Sequence, residues 1–286
     1  IGMLYRIPVV NIIGSEGNGI YGAAFNIYNI MLVLSSYGLP MAVSKLVSAR
    51  FTKKRYKSAA KVLRCSLMVA VCTGGIAALL VFFGASFIEN VIYGGGLPGL
   101  AVPLRILAPT IFLVAILGVI RGFFQGQSTM IPTAVSQILE QIVNAIVSIA
   151  AGYGMMKAFA SSPDVAAYGA AGSTLGTAMG ALTAVLFMGF LYAVYTPTFN
   201  RLKRKDRHTE NQSTGQICKI IIYTMIPIIL GQTFYQISAL IDDVMFSNIM
   251  VGRDITKSIS MDLGNFSSSL SLIHISEPTR HSLISY

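Results

Sequence analysis

From Cys65 to Ile88 the chain reads CSLMVAVCTGGIAALLVFFGASFI, 24 residues bounded by Arg64 and Glu89 with no charge between them. At about 1.5 Å of rise per residue, a helix of this length crosses the roughly 30 Å of hydrocarbon in a bilayer. A helix also satisfies its own backbone donors and acceptors, as any segment surrounded by lipid has to. The same pattern recurs along the chain. No charge occurs between Glu16 and Lys45, between Asp164 and Arg201, or between Lys219 and Asp242, and the stretches 100–120 and 131–156 each hold one charged residue. With the apolar stub 1–13 this makes about seven spans, so the fold class is all-α, integral to the membrane, a polytopic helical bundle.

Composition agrees. Of the 286 residues 54% are hydrophobic and 11% are charged, about half the charged share of a soluble domain. A net charge of +10 raises nucleic acid as a partner, because cationic surfaces release phosphate counterions. The distribution excludes it. Lys45, Arg50, Lys53, Lys54, Arg55, Lys57, Lys61 and Arg64 fall in one loop region (43–64), and Arg201, Lys203, Arg204, Lys205, Arg207 and Lys219 in another (195–219). Alternating spans put both loops on one side, and positive residues in short loops mark the cytoplasmic face. The segment Gly14 to Gly19 is then external, and the loops around Glu89 and Lys157 face outward with few cations. The expected location is the bacterial inner membrane.

Cys65, Cys72 and Cys218 form no CxxC pair and read as small packing residues. Leu270 to Arg280, LSLIHISEPTR, resembles the in-frame translation of a transposon-type sequencing adapter, so 270–286 is set aside as a non-native tail. His274 and His281 leave with it and His208 alone remains. No metal and no cofactor are expected. The chain opens at Ile1 inside an apolar stretch, which reads as a helix whose first residues are missing.

Several polar residues interrupt the spans. Gly17, Gly19 and Gly22 fit GxGxxG, but they follow a membrane helix and no acid stands about 20 positions later to hold a ribose. The spacing predicts a tight external turn whose glycines supply unusual dihedrals and close helix approach. Arg6 lies within the first span, where a guanidinium costs a few kcal/mol unless it meets a cavity or a partner. It reads either as a phosphate contact, through its planar fork of donors, or as a structural pairing. On the fifth span Gln137, Glu140, Asn144 and Ser148 follow at spacings of three, four and four, on one helical face. This stripe reads as cavity lining, with Glu140 as a candidate ion or proton site, or as interhelical hydrogen bonding. The seventh span repeats the pattern with Gln232, Gln236 and Asp243, beside Asp242. Asn26, Asn29 and Ser36 make a weaker stripe on the second span. Pro8, Pro109 and Pro227 fall inside spans, where proline tends to kink a helix.

Two segments carry a family likeness. YRIPVVNIIGSEGNGIYGAAFNIYNIMLVLSSYGLPMAVSKLVS, Tyr5 to Ser48, resembles the opening of the polysaccharide-biosynthesis and stage V sporulation protein B family, within the multidrug, oligosaccharidyl-lipid and polysaccharide exporter superfamily. RGFFQGQSTMIPTAVSQILEQIVN, Arg121 to Asn144, resembles the family segment joining the fourth and fifth helices. The resemblance runs to about Gly252. It implies two pseudo-symmetric lobes around a central cavity, with residues 1–215 as the N-terminal lobe and 216–269 as the first helix of the second. It also implies a flippase for lipid-linked oligosaccharide or peptidoglycan precursors, not an enzyme. The partners would be a lipid-linked sugar diphosphate, membrane lipids and a monovalent cation or proton. Arg6 then matches the cation of the first helix that faces the substrate diphosphate. Asn26, Asn29, Gln137, Asn144, Gln232 and Gln236 are the further candidate substrate contacts, and Glu140 and Asp243 the candidate ion-coupling acids. The rivals are a cation-coupled multidrug exporter of the same superfamily and, more distantly, a membrane glycosyltransferase or ligase. Such an enzyme would need acids and bases at an aqueous surface, and the external loops offer only a few scattered acids such as Glu16, Glu89 and Asp164.

Overall fold

The computed structural model describes residues 2–162, 164–206 and 213–251, and all regular structure among them is helical. Helix α1 spans Gly2–Leu32 and passes through a π-helical segment, Val33–Tyr37, into α2, Gly38–Thr52. Then follow α3 (Tyr56–Phe87) with a second π segment (Ile88–Ile92), α4 (Ala101–Gln125), α5 (Ile131–Ala158), α6 (Val165–Lys205) and α7 (Thr214–Val251).

Six stretches among the described residues are long and apolar enough to cross a membrane. The first, Arg6–Thr52, has 47 residues, about 70 Å as a straight helix, far more than a bilayer needs. It is broken at Gly14, whose φ of 70° and ψ of −179° are non-helical and lie in a region essentially reserved for glycine. The kink separates the apolar stub from the second span, but residues 2–13 rise only about 18 Å as a helix, so the described residues hold six membrane-length stretches where the hydropathy predicts about seven. The turn is sharper than the expected 14–19 loop. Gly17 and Gly19 already lie in helix without positive φ. What Gly17 contributes is closeness, since a Cβ there would sit 3.2 Å from the carbonyl of Ala166. Proline is milder than expected as well, since α4 and α7 run through Pro109 and Pro227 without interruption.

The π segment in the second span leaves carbonyls out of register. One is claimed by a neighbour: the Thr73 hydroxyl donates to the carbonyl of Ser35 at 2.9 Å, and the buried Ser35 and Ser36 hydroxyls pair at 2.8 Å.

The ends of the helices sort into two faces. At one, the Lys57 amide donates to Asp206 Oδ2 at 2.8 Å, joining the start of α3 to the end of α6, and Gly126 after α4 packs on Val47 and Ser44 of α2. Both basic segments therefore meet at one end of the bundle. At the other end, Glu89 caps the start of α4, its two oxygens accepting from the amides of Gly99 at 3.0 Å and Ala101 at 2.7 Å. Gly99 there abuts Ala167 at the start of α6, and Asn248 near the end of α7 donates to the Ile92 carbonyl at 2.9 Å.

Between the faces lie two apolar clusters. Tyr93, Leu97, Leu100, Leu104, Leu107 and Ile111 pack with Ile13 and Ile20 toward the Glu89 end. Toward the basic end Phe51, Phe123 and Phe199 form an aromatic knot, with Phe123 and Phe199 edge to face at 5.3 Å. On α3 Met68, Ile76, Leu79, Leu80, Phe83 and Phe87 stay exposed, an apolar surface that hydrocarbon, not water, would cover.

Candidate transport site

The fifth-span stripe is where sequence and structure can be compared residue by residue. Helix α5 follows α4 through a short connection, Gly126 to Met130, with Ser128 in positive φ. Arg121 stands four residues before the end of α4 and Glu140 nine after the start of α5, and their side chains meet in an ion pair of 2.8 Å. The same guanidinium donates from Nε to the Ser136 hydroxyl at 2.9 Å, while that hydroxyl donates to the Thr133 carbonyl at 2.8 Å. The two charged side chains are only 14% and 22% exposed. In so dry a setting each charge depends on the other, and losing either partner strands a buried charge at a cost of about 3–5 kcal/mol.

Farther along α5 the stripe meets α6 instead. Asn144 and Ser148 are buried, and the Ser148 hydroxyl lies 2.8 Å from both Asn144 Oδ1 and the Ser173 carbonyl. Gly172, Gly176 and Gly180 of α6 let the backbones come together. A Cβ on Gly172 would collide with Ala151 and Gly152, one on Gly176 with Ser148 and the Asn144 carbonyl, and one on Gly180 would stand 2.7 Å from the Glu140 carbonyl. This is the small-residue seam by which membrane helices approach without a hydrophobic driving force. In this structure Asn144 and Ser148 are engaged in the α5–α6 contact, the interhelical alternative for the stripe. Gln137, at the same stripe's other end, is exposed.

The remaining candidates are dispersed. Arg6 is exposed and makes no ion pair among the described residues. Asn26 and Asn29 on the second span are half-buried, and Gln232 and Asp242 on α7 are exposed. The side chains of Gln236 and Asp243 lie outside the described residues. No cluster of three or more metal-ligating side chains occurs among the described residues. Cys65 is buried with its thiol 3.8 Å from the Thr214 carbonyl.

Arg121 was passed over as a functional candidate, although it opens the RGFFQGQ segment. The signal is that Arg121 and Glu140 are the only charges between Arg105 and Lys157, together with the rule that an intramembrane charge seeks a partner. The glycines at 172, 176 and 180, spaced by four, likewise announced a close helix contact that the hydropathy of α6 conceals.

Comparison with known proteins places these features. A family model described as polysaccharide biosynthesis protein matches residues 1–272. Among curated proteins of Bacillus subtilis (strain 168), Lipid II flippase MurJ is 34% identical over 165 residues, covering 56% of this chain and 30% of its own length. Stage V sporulation protein B is 30% identical over 190 residues, 66% of this chain and 35% of the relative. The uncharacterized membrane protein YabM is 26% identical over 252 residues, 88% of this chain and 44% of the relative. The chain therefore spans less than half the length of each. A solved structure, the inward-facing conformation of a multidrug resistance MATE family transporter of the MOP superfamily, superposes with a TM-score of 0.68 at 15% identity, over 96% of this chain and 58% of the other. At that identity the match speaks for the fold: an all-α polytopic membrane bundle.

Proposed function

Because the chain belongs to the polysaccharide biosynthesis protein family, we propose that it acts within a transporter that turns lipid-linked oligosaccharide or peptidoglycan precursors across the bacterial inner membrane by alternating access. The observation that carries this reading is the 34% identity to a lipid II flippase over a chain whose helices are built for lipid. Residues 1–215 then form one lobe and α7 opens the second. The basic face, with its loops 43–64 and 195–219, is cytoplasmic, in keeping with the excess of Lys and Arg there.

In this reading Arg6 contacts the substrate diphosphate. It stands about 12 Å along the helix from the Gly14 turn, is exposed, and offers a bidentate fork to phosphate oxygens. Gln137 and Gln232, both exposed, are hydrogen-bonding groups suited to sugar hydroxyls, and Asn26 and Asn29 extend that lining. Glu140 differs from a free coupling acid. Its carboxylate is held by Arg121, so a cation or proton would have to displace a guanidinium before occupying it. Asp243 of α7 is the other candidate coupling acid.

The test is translocation of a lipid-linked precursor by the natural protein carrying this sequence, reconstituted in proteoliposomes, with Arg6→Ala beside it. The expected result is precursor flux that falls at least tenfold in the variant, the order of one lost charge-assisted contact. Unchanged flux removes Arg6 from the mechanism. Drug efflux without precursor flux would replace the flippase reading with cation-coupled multidrug export on the same fold.

A further inference from the structure

Where α3 begins and α6 ends, two adjoining hollows of about 530 and 310 Å³ open on the basic face. They share Lys57 and Lys203, and Lys61, Arg64 and Arg204 complete their cationic lining. Among the described residues the acid at this site is Asp206, which is buried and already accepts the Lys57 amide. That bond ties the two helix ends together, and the Lys203 ammonium lies over the Phe199 ring at 5.2 Å. Five cations facing one engaged carboxylate leave a strong excess of positive charge.

The apolar surface beside the cleft decides between ligands. Lys57, Lys61 and Arg64 follow one another at helical spacing, and the same face of α3 continues into Met68 and Val71. On α6 Val194 and Phe190 continue below Arg204. All four apolar side chains are exposed, between 46% and 66%. A soluble phosphate or nucleotide has no use for that apolar track, whereas a molecule with an anionic head and acyl chains uses both parts. Basic pockets between membrane helices take anionic headgroups on the same grounds. We propose that the α3–α6 cleft binds the phosphodiester headgroup of an anionic phospholipid from the surrounding leaflet, with its acyl chains lying along α3 and α6. The proposal is independent of which substrate is transported.

Native mass spectrometry of the full chain in detergent tests it, with phosphatidylglycerol, phosphatidylcholine and sn-glycerol 1-phosphate as probes. The expected result is retention of phosphatidylglycerol over phosphatidylcholine, lowered about fivefold for each cation removed in Lys61→Gln/Lys203→Gln. The control Lys45→Gln/Lys53→Gln, on the same face but outside the cleft, keeps retention. Equal losses in the two variants would mean diffuse surface charge and overturn the site. Displacement of phosphatidylglycerol by an equal concentration of sn-glycerol 1-phosphate would overturn the lipid as its occupant. Because glutamine could perturb folding, Lys61→Arg/Lys203→Arg is measured in parallel. Loss of retention there, with charge intact, also overturns the proposal.

Discussion

Helix α5 carries one stripe of polar residues with two fates. In the half nearer the basic face, Ser136 and Glu140 engage Arg121 of α4, and Gln137 beside them stays exposed. In the other half, Asn144 and Ser148 are sealed against the glycines of α6. The spacing along α5 is the same throughout, so the neighbour makes the difference. Glycine lets a backbone come close enough to expel water and convert a polar residue into a hydrogen-bonded strut. Arginine holds the helices apart and demands a counter-charge. A polar stripe in a membrane helix therefore says that polar partners exist, and the size of the facing residue says whether they are protein or water.

This contrast can be broken by mutation. The largest effect is expected from Gly176→Leu, whose side chain has no space beside Ser148 and Asn144. Overpacking there forces α5 and α6 apart, and size-exclusion chromatography in detergent should show loss of the monodisperse chain. Glu140→Gln comes next, with about 3 kcal/mol lost from thermal or denaturant unfolding in detergent because Arg121 is stranded. The double variant Arg121→Leu/Glu140→Leu should lose less than the single one, and additive losses would show that the pair is not coupled. Ser148→Ala removes one donor from the seam and should cost about 1 kcal/mol by the same measurement. Gln137→Ala, at the exposed end of the stripe, should stay within about 0.5 kcal/mol of the parent. A loss as large as that of Ser148→Ala would mean that Gln137 is packed and that the two halves do not differ.

The fold was legible to the extent that it depends on each residue's own chemistry. Charge-free blocks marked the spans, and the clustering of Lys and Arg predicted that 43–64 and 195–219 share a side, as the Lys57–Asp206 bond now shows. Gly14 was within the expected turn, but the helix is only kinked there and Gly17 stays helical, packed against α6. The site was less legible. Glu140 reads as an ion or proton site or as an interhelical partner as long as α5 is considered alone, and only the hairpin with α4 brings Arg121 to it. Asn144 on α5 alone fits either cavity lining or interhelical bonding, and only the α6 glycines show what packs against it.

Sequence by itself determined that this chain lives in a membrane, which of its blocks form long apolar helices, and which end of the bundle is cationic. Transfer between water and hydrocarbon is a property of each segment, and it adds up along the chain. Tertiary structure alone decided which polar groups pair, which are walled off, and where the cations of α3 and α6 enclose a cleft. Those outcomes depend on how each helix is rotated and how closely two backbones approach, and both are set by side-chain volumes on helices far apart in sequence.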